Sequence, residues 1–175
     1  MLENLSATKI VSLVTSKEIK TTEVVDYYLS QIEKYNPKLN AIVSIKKEEQ
    51  IKIEANNYQN SSNKIGLMSG MPLAIKDITD AQGFPTTFGL PEYKNNIASK
   101  NSILVERLIR QGAIIIGKTN TPELAVGGHT INKIFGSTAN AYDLSKSAGG
   151  SSGGAATAVA ASLVPFADGT DMMGS

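Results

Sequence analysis

A short segment of glycine and serine constrains this chain more than any other feature. Residues 148–154 have the sequence AGGSSGG, so four glycines and two serines fill six of the seven positions. The alanine-rich stretch that follows, residues 155–163, predicts a helix narrow enough to be buried in a core. A glycine loop before a helix offers backbone N–H groups to an anion, but it is as often only a tight turn. Nucleotide binding is disfavoured, because Ala155 and Ala156 stand where a phosphate-binding loop needs Lys and Ser or Thr.

Two apolar segments predict buried strands with a helix between them. Residues 71–77 (MPLAIKD) end in two charges, and residues 113–117 (AIIIG) carry none. Residues 102–111 between them have the periodicity of an amphipathic helix. A continuous apolar run is typical of a strand covered on both faces, and strand–helix–strand at this spacing favours a parallel pair. The predicted fold class is therefore α/β, with a mixed, largely parallel sheet flanked by helices.

The first sixty residues predict helices that pack outside this sheet. The longest of them is expected to end at Pro37, because proline cannot continue the backbone hydrogen bonding of a helix. The polar residues 59–64 predict an exposed loop. We expect a single domain over residues 1–175, with a helical N-terminal region at 1–60 and an α/β core segment at 61–175.

The composition excludes several kinds of site. The chain has no cysteine and one histidine, so thiolate catalysis, a disulfide framework and a Cys- or His-rich metal centre are ruled out within it. The histidine, His129, is expected to be an ordinary loop residue. The 17 basic and 16 acidic residues leave a net charge of +1, which disfavours direct nucleic-acid binding. No apolar run approaches the roughly 18 residues of a membrane helix, and the start has no signal layout, so we expect a cytoplasmic protein without a membrane partner.

Lys76 is the second unusual feature, because it stands at the end of an apolar strand. A lysine in this place is usually an exposed strand terminus, here with Asp77 as its charge partner. A buried lysine loses its proton more readily, since burial penalises the charged form. A serine hydroxyl beside such a neutral amine can be activated without a histidine. Lys76 and the serines of the glycine-rich segment are therefore candidates for one site.

Five segments, taken in order, resemble the amidase signature family. The most specific are residues 149–165 and 168–175, together with residues 70–77, which resemble that family's lysine strand. Residues 117–125 and 135–140 resemble its intervening blocks. The resemblance covers nearly the whole chain. It implies an amidase, a hydrolase acting on linear amide C–N bonds, that needs no metal or organic cofactor.

The resemblance also implies a Ser–cis-Ser–Lys triad made of Lys76, Ser151 and Ser175. Lys76 matches the base, Ser151 the bridging serine and Ser175 the nucleophile, with Ser152 as the alternative for the bridging role. The cis peptide bond is expected between Gly150 and Ser151 or between Ser151 and Ser152. Neutral Lys76 would accept a proton, relayed through Ser151, as Ser175 attacks the amide carbonyl to form an acyl-enzyme.

An oxyanion hole is implied at the backbone N–H groups of Met172, Met173, Gly174 and Ser175. Met173 departs from the family pattern, which commonly has glycine there, and its side chain is expected to narrow the acyl pocket. Ala141 is a second departure, because it stands where Asn-Pro is usual; we expect a looser turn at this place.

Three functions stay open on this resemblance. The first is an amidase that converts a small-molecule amide into an acid and ammonia or an amine. The second is the amidase (glutaminase) subunit of an aminoacyl-tRNA amidotransferase. The third is a truncated, non-catalytic fragment that packs with another chain. The family's catalytic domain is more than twice as long as this chain, so we expect a homodimer, or a partner chain that completes the fold.

Overall fold

A four-stranded sheet forms the centre of the computed structural model, which describes residues 2, 5–61 and 66–175. The strands of the described residues are β1 (Ile42–Ile45), β2 (Pro72–Lys76), β3 (Ile114–Thr119), β4 (Ile131–Asn132), β5 (Gly136–Ser137) and β6 (Phe166–Ala167). The sheet has the order β1–β3–β2–β6, and β4 and β5 form a separate antiparallel pair. β2 is parallel to both β3 and β6, whereas β1 is antiparallel to β3. The predicted α/β class with a mixed, largely parallel sheet is confirmed.

Helices cover both faces of this sheet. They are α1 (Ala7–Thr15), α2 (Thr21–Leu39), α3 (Glu48–Asn60), α4 (Ile103–Arg110) and α5 (Gly153–Ala160). Because successive side chains of a strand point to opposite faces, neighbours in β2 enter different cores. Leu73 and Ile75 pack in the core that includes α1 and α4, whereas Ala74 packs in the core that includes α3 and α5. In β3, Ile115 packs in the first of these cores and Ile114 in the second. The unbroken apolar runs in the sequence follow from this two-sided burial.

Helix α2 does not end where the sequence predicted. Pro37 lies inside the helix, in its last turn, so the prediction that it ends the helix is wrong. Proline lacks an N–H donor and its ring crowds the preceding turn, yet the helix continues for two residues beyond Pro37. It ends where Asn40 adopts a left-handed conformation, with φ at 51°. The side chain of Asn36 then accepts hydrogen bonds from the backbone N–H groups of Ala41 and Ile42, at 3.0 and 2.9 Å. These bonds direct the chain into β1.

Part of the predicted loop at 59–64 lies outside the described residues, which omit 1, 3–4 and 62–65. Helix α3 extends to Asn60 and takes up the first two residues of that loop. Within the described part of the chain, no helix combines the length and the apolarity needed to cross a bilayer. The same part holds no group of three or more His, Cys, Asp or Glu side chains placed to bind a metal ion.

One edge of the sheet gathers polar residues. Lys76 is the last residue of β2, and Asp168 directly follows β6. The carboxyl ends of parallel strands lie at the same edge, so the residues that follow β6 meet the end of β2 there. Open α/β sheets bind their ligands at this edge. The candidate site is therefore built here.

Candidate active site

The amine of Lys76 lies fully buried among three hydroxyl groups. Its Nζ is 2.8 Å from Ser151 Oγ, 2.9 Å from Ser152 Oγ and 2.7 Å from Thr170 Oγ1. Hydroxyl groups both donate and accept hydrogen bonds. They can therefore surround an ammonium, which donates three, or a neutral amine, which donates two and accepts one. Lys76 is not the exposed strand terminus that the sequence left open.

Burial changes the acid–base behaviour of this lysine. It lowers the pKa of Lys76 below the ordinary value for a lysine, because the ammonium loses its hydration. The carboxylate of Asp168 acts in the opposite direction by attracting the ammonium. The surrounding hydroxyls replace water as partners but bring no charge. The amine can therefore act as a base at a lower pH than an exposed lysine can.

The glycine-rich segment makes a tight turn that carries the two serines to this amine. The peptide bond between Gly150 and Ser151 is cis, at one of the two places that the resemblance implied. Thr130 fixes the turn, since its backbone N–H and its hydroxyl each donate to the carbonyl of Gly149 at 2.8 Å. Gly150 has no room for a side chain, because a Cβ there would lie 2.8 Å from the carbonyl oxygen of Gly127. The turn thus depends on a close approach of two backbone segments.

Helix α5 follows this turn directly and holds it against the sheet. It begins at Gly153, two residues before the predicted alanine-rich stretch, and ends at Ala160 rather than at residue 163. The N–H of Gly153 donates to the Thr130 hydroxyl at 3.0 Å, which ties the first turn of the helix to the same threonine. Ala158 is fully buried in the core. The expected burial holds for one face of the alanine-rich helix, whereas Ala156, Val159 and Ala160 are exposed.

Thr170 belongs to this cluster, although the sequence did not single it out. Its backbone N–H donates to Ser152 Oγ at 3.2 Å, and the Ser152 hydroxyl lies 3.3 Å from the Thr170 carbonyl. One available signal was its position shortly after β6, since parallel strands end at a common edge. A strand of two residues, however, gives little information about register. The contact of Thr170 with Lys76 was therefore visible only in the structure.

Ser175 lies one hydrogen bond away from the lysine cluster. Its hydroxyl donates to the carbonyl of Thr170 at 3.4 Å. Among the described residues, no hydrogen bond joins Ser175 Oγ to Ser151 or to Lys76. The structure thus brings Lys76, Ser151 and Ser152 together and places Ser175 beside them through Thr170. The roles assigned to these four residues stay predictions.

The predicted oxyanion-hole residues form an exposed turn at the rim of this cluster. Met172 and Met173 are 84% and 93% exposed. The backbone N–H groups of Gly174 and Ser175 both donate to Asp171 Oδ1. These two donors are therefore already engaged by a carboxylate, and a carbonyl oxygen would have to replace it.

A second buried lysine, Lys118 on β3, lies outside the hydroxyl cluster. Its Nζ donates to the backbone carbonyls of Asp77 and Pro85, at 2.9 and 3.1 Å. Burial lowers the pKa of Lys118 to about 8, and the carboxylates of Asp77, Asp80 and Asp168 offset only part of this shift. The sequence did not reveal this lysine, because a charge close to a strand end is usually exposed.

Lys118 should make the stability of the fold depend on pH. Its pKa is about 8 in the folded protein and about 10.4 in an unfolded chain, so the unfolded chain binds more protons between these values. We therefore expect the free energy of unfolding to rise by about 2 kcal/mol from pH 8 to pH 10. Lys118→Met should remove most of this rise, because it retains the volume of the side chain without a titrating group.

Urea denaturation at a series of pH values checks this prediction. Lys76 also makes the free energy of unfolding rise with pH. The contribution of Lys118 is therefore the difference between the rise in the wild type and the rise in Lys118→Met. The series stops at pH 10, because burial raises the pKa of Tyr28 to about 12 and its ionisation in the unfolded chain destabilises the fold above pH 10. If the free energy of unfolding rose equally with pH in the wild type and in Lys118→Met, the prediction would be contradicted.

Comparison with known proteins agrees with the resemblance seen in the sequence. The family model described as Amidase matches residues 23–175. An acylamidase from Rhodococcus erythropolis is 42% identical over 173 residues, which are 98% of this chain and 36% of that protein. A glutamyl-tRNA(Gln) amidotransferase subunit from Caldanaerobacter subterraneus is 38% identical over 177 residues, covering 99% of this chain and 36% of that protein.

A solved structure shares the fold. The crystal structure of a bacterial aryl acylamidase from the amidase signature family superimposes with a TM-score of 0.86 at 34% identity, over 93% of this chain and 34% of that one. The chain spans about a third of the length of the curated relatives it matches.

Proposed function

We propose, from the premise that this chain belongs to the amidase family, that the protein hydrolyses a carboxylic amide to an acid and ammonia or an amine. The observation that carries the proposal is the fully buried amine of Lys76, held 2.8 Å from Ser151 Oγ. A charged lysine is rarely buried without a carboxylate that contacts its amine, and here hydroxyls surround it. Such an amine is suited to accept a proton from a serine.

In the proposed reaction, Ser175 Oγ attacks the carbonyl carbon of the amide. The Ser175 hydroxyl, which donates to the Thr170 carbonyl in this structure, must first turn to Ser151. Its proton then passes to the Ser151 hydroxyl, whose own proton passes to the neutral amine of Lys76. The tetrahedral intermediate collapses when the relay returns a proton to the leaving nitrogen, and the C–N bond breaks. Water then attacks the acyl-enzyme through the same relay and releases the acid. Each step uses only side chains of this chain, the substrate and water.

The oxyanion of the intermediate would need backbone N–H groups near Ser175. Gly174 and Ser175 serve this role in the proposal, and both now donate to Asp171 Oδ1. The substrate carbonyl must therefore displace this carboxylate, and the exposed turn at Met172 and Met173 must rearrange with it. Binding of the amide is therefore expected to change the conformation of this turn.

Labelling with a fluorophosphonate probe tests the proposal. An activated serine is phosphonylated at Oγ, and peptide mass mapping of the folded protein should locate the label on Ser175. Ser175→Ala should abolish labelling, whereas Ser145→Ala, which changes an exposed loop serine, should leave it unchanged. A folded protein that takes up no label, or takes it up at another serine, would contradict the proposal and favour a non-catalytic fragment.

A second candidate function is the glutaminase subunit of an aminoacyl-tRNA amidotransferase. It is supported by the 38% identity to a glutamyl-tRNA(Gln) amidotransferase subunit. The two functions differ in their substrate and in their need for other protein chains. Glutamine turnover that requires added partner proteins would favour the amidotransferase, and turnover of simple amides by the protein alone would favour the amidase.

A further inference from the structure

Asp168 lies behind the proposed base and is bound to its backbone. The residue follows β6 and is only 8% exposed. Its Oδ1 accepts a hydrogen bond from the backbone N–H of Lys76 at 2.6 Å. Its Oδ2 is buried and has no hydrogen-bond partner among the described residues. One oxygen of this carboxylate is therefore used, and the other is left unsatisfied.

A carboxylate is more than this position needs for structure. β2 and β6 are parallel, with Leu73 opposite Phe166 and Ala74 opposite Ala167, and a neutral acceptor would satisfy the next N–H of the ladder equally well. A buried carboxylate oxygen without a partner is destabilising. The arrangement is explained if the negative charge itself acts on a neighbouring group.

Two lysines are the charged groups that act on this carboxylate. Lys76 approaches from β2 and Lys118 from β3, and both favour the ionised carboxylate, while burial raises the pKa of Asp168. Lys118 is also acted on by Asp77 and Asp80, whereas Asp168 is the one carboxylate among the described residues that raises the pKa of Lys76. A change of charge at residue 168 should therefore shift the pKa of Lys76.

We infer that Asp168 is a positioning residue for Lys76: its carboxylate fixes the lysine backbone at the end of β2, and its charge sets the pH at which the amine loses its proton. The catalytic meaning of this inference rests on the proposed function. Its two parts are separable, because Asp168→Asn retains an acceptor oxygen without the charge, whereas Asp168→Ala removes both.

The charge is tested by ¹³C NMR of the lysine Cε atoms in the protein, with the Lys76 signal assigned by Lys76→Met. Without the negative charge the ammonium is less stable, so Asp168→Asn should lower the titration midpoint of Lys76 by about one pH unit. Asp168→Ala should lower it as well, which provides a second reading if the asparagine variant does not fold. Asp143→Asn, a matched change at a residue whose side chain is 46% exposed, should leave the midpoint in place. A midpoint that stays or rises in both Asp168 variants overturns the inference.

The positioning is tested by the pH dependence of fluorophosphonate labelling at Ser175. In Asp168→Asn the rise of the labelling rate with pH should occur at lower pH than in the wild type. The labelling rate at high pH should stay within about twofold of the wild type. In Asp168→Ala the rate at high pH should fall about tenfold, because the lysine backbone has lost its acceptor. Equal rates for the two variants at high pH would overturn the positioning role. Failure of the wild type to label would instead refute the proposed function, and the NMR titration would still decide the effect of the charge.

Discussion

Lys76→Met is expected to lower the rate of fluorophosphonate labelling at Ser175 by about 10³-fold. The variant retains most of the side-chain volume inside the hydroxyl cluster and removes the group that accepts the proton. General bases of this kind contribute roughly 10²- to 10⁴-fold to a rate. Lys76→Ala should lower the labelling rate by at least the same factor, since it also leaves a cavity. The measurement is the time course of labelling at Ser175, with circular dichroism of each variant to verify folding.

Lys118→Met is the matched control for this experiment. It removes a second fully buried lysine, whose amine contacts the carbonyls of Asp77 and Pro85 rather than a serine. Labelling should therefore stay within about tenfold of the wild type. If both variants lost labelling equally, the effect of Lys76 would be structural. If Lys76→Met were labelled at the rate of the wild type, the assignment of the base would be wrong.

The sequence predicted the central sheet well, because burial on both faces leaves an unmistakable pattern. Residues 71–75 and 113–117 are apolar without alternation, and the structure divides their side chains between two cores. Helix ends were harder to predict. Pro37 indicated a helix end, yet the helix ended at a left-handed Asn40. Asparagine tolerates this conformation better than most residues, but a single asparagine is a weaker signal than a proline.

The lysine cluster could be predicted only in part. The burial of Lys76 followed from no local pattern, since a charge that ends a strand fits an exposed terminus equally well. The contacts that decide the matter come from Ser151 and Thr170, which lie 75 and 94 residues further along the chain. Family resemblance suggested the first of these. Thr170 and Asp168 depend on the register of β6, a strand of two residues, and were missed for this reason.

The second buried lysine shows the same limit. Lys118 is held by backbone carbonyls of a loop that follows β2, and carbonyl acceptors carry no side-chain signature in a sequence. His129 was expected to be an ordinary loop residue, and its exposed ring lies 2.6 Å from the hydroxyl of Ser147. Local patterns therefore gave the elements of this site, while long-range contacts determined its chemistry.

Gly154→Ala should destabilise the protein more than any substitution on its surface. Gly154 lies in the first turn of α5, where a Cβ would meet the backbone N–H of Asn120 and lie 2.5 Å from its carbonyl oxygen and 2.9 Å from that of Ala41. These backbone atoms cannot move freely, because Asn120 N–H donates to Ala41 O at 2.9 Å at the end of the sheet. We expect the free energy of unfolding to fall by about 3 kcal/mol, although alanine favours a helix over glycine by about 1 kcal/mol.

Urea denaturation at neutral pH measures this effect, with Gly128→Ala as the matched control. A Cβ at Gly128 has no neighbour within 4 Å, so that variant should lie within about 0.5 kcal/mol of the wild type. A shifted α5 would also carry Ser151 and Ser152 away from Lys76, because the helix follows their turn directly. Labelling at Ser175 should therefore fall in Gly154→Ala even where the protein is still folded. Unfolding of Gly154→Ala at the same urea concentration as Gly128→Ala would show that the helix does not need this close contact.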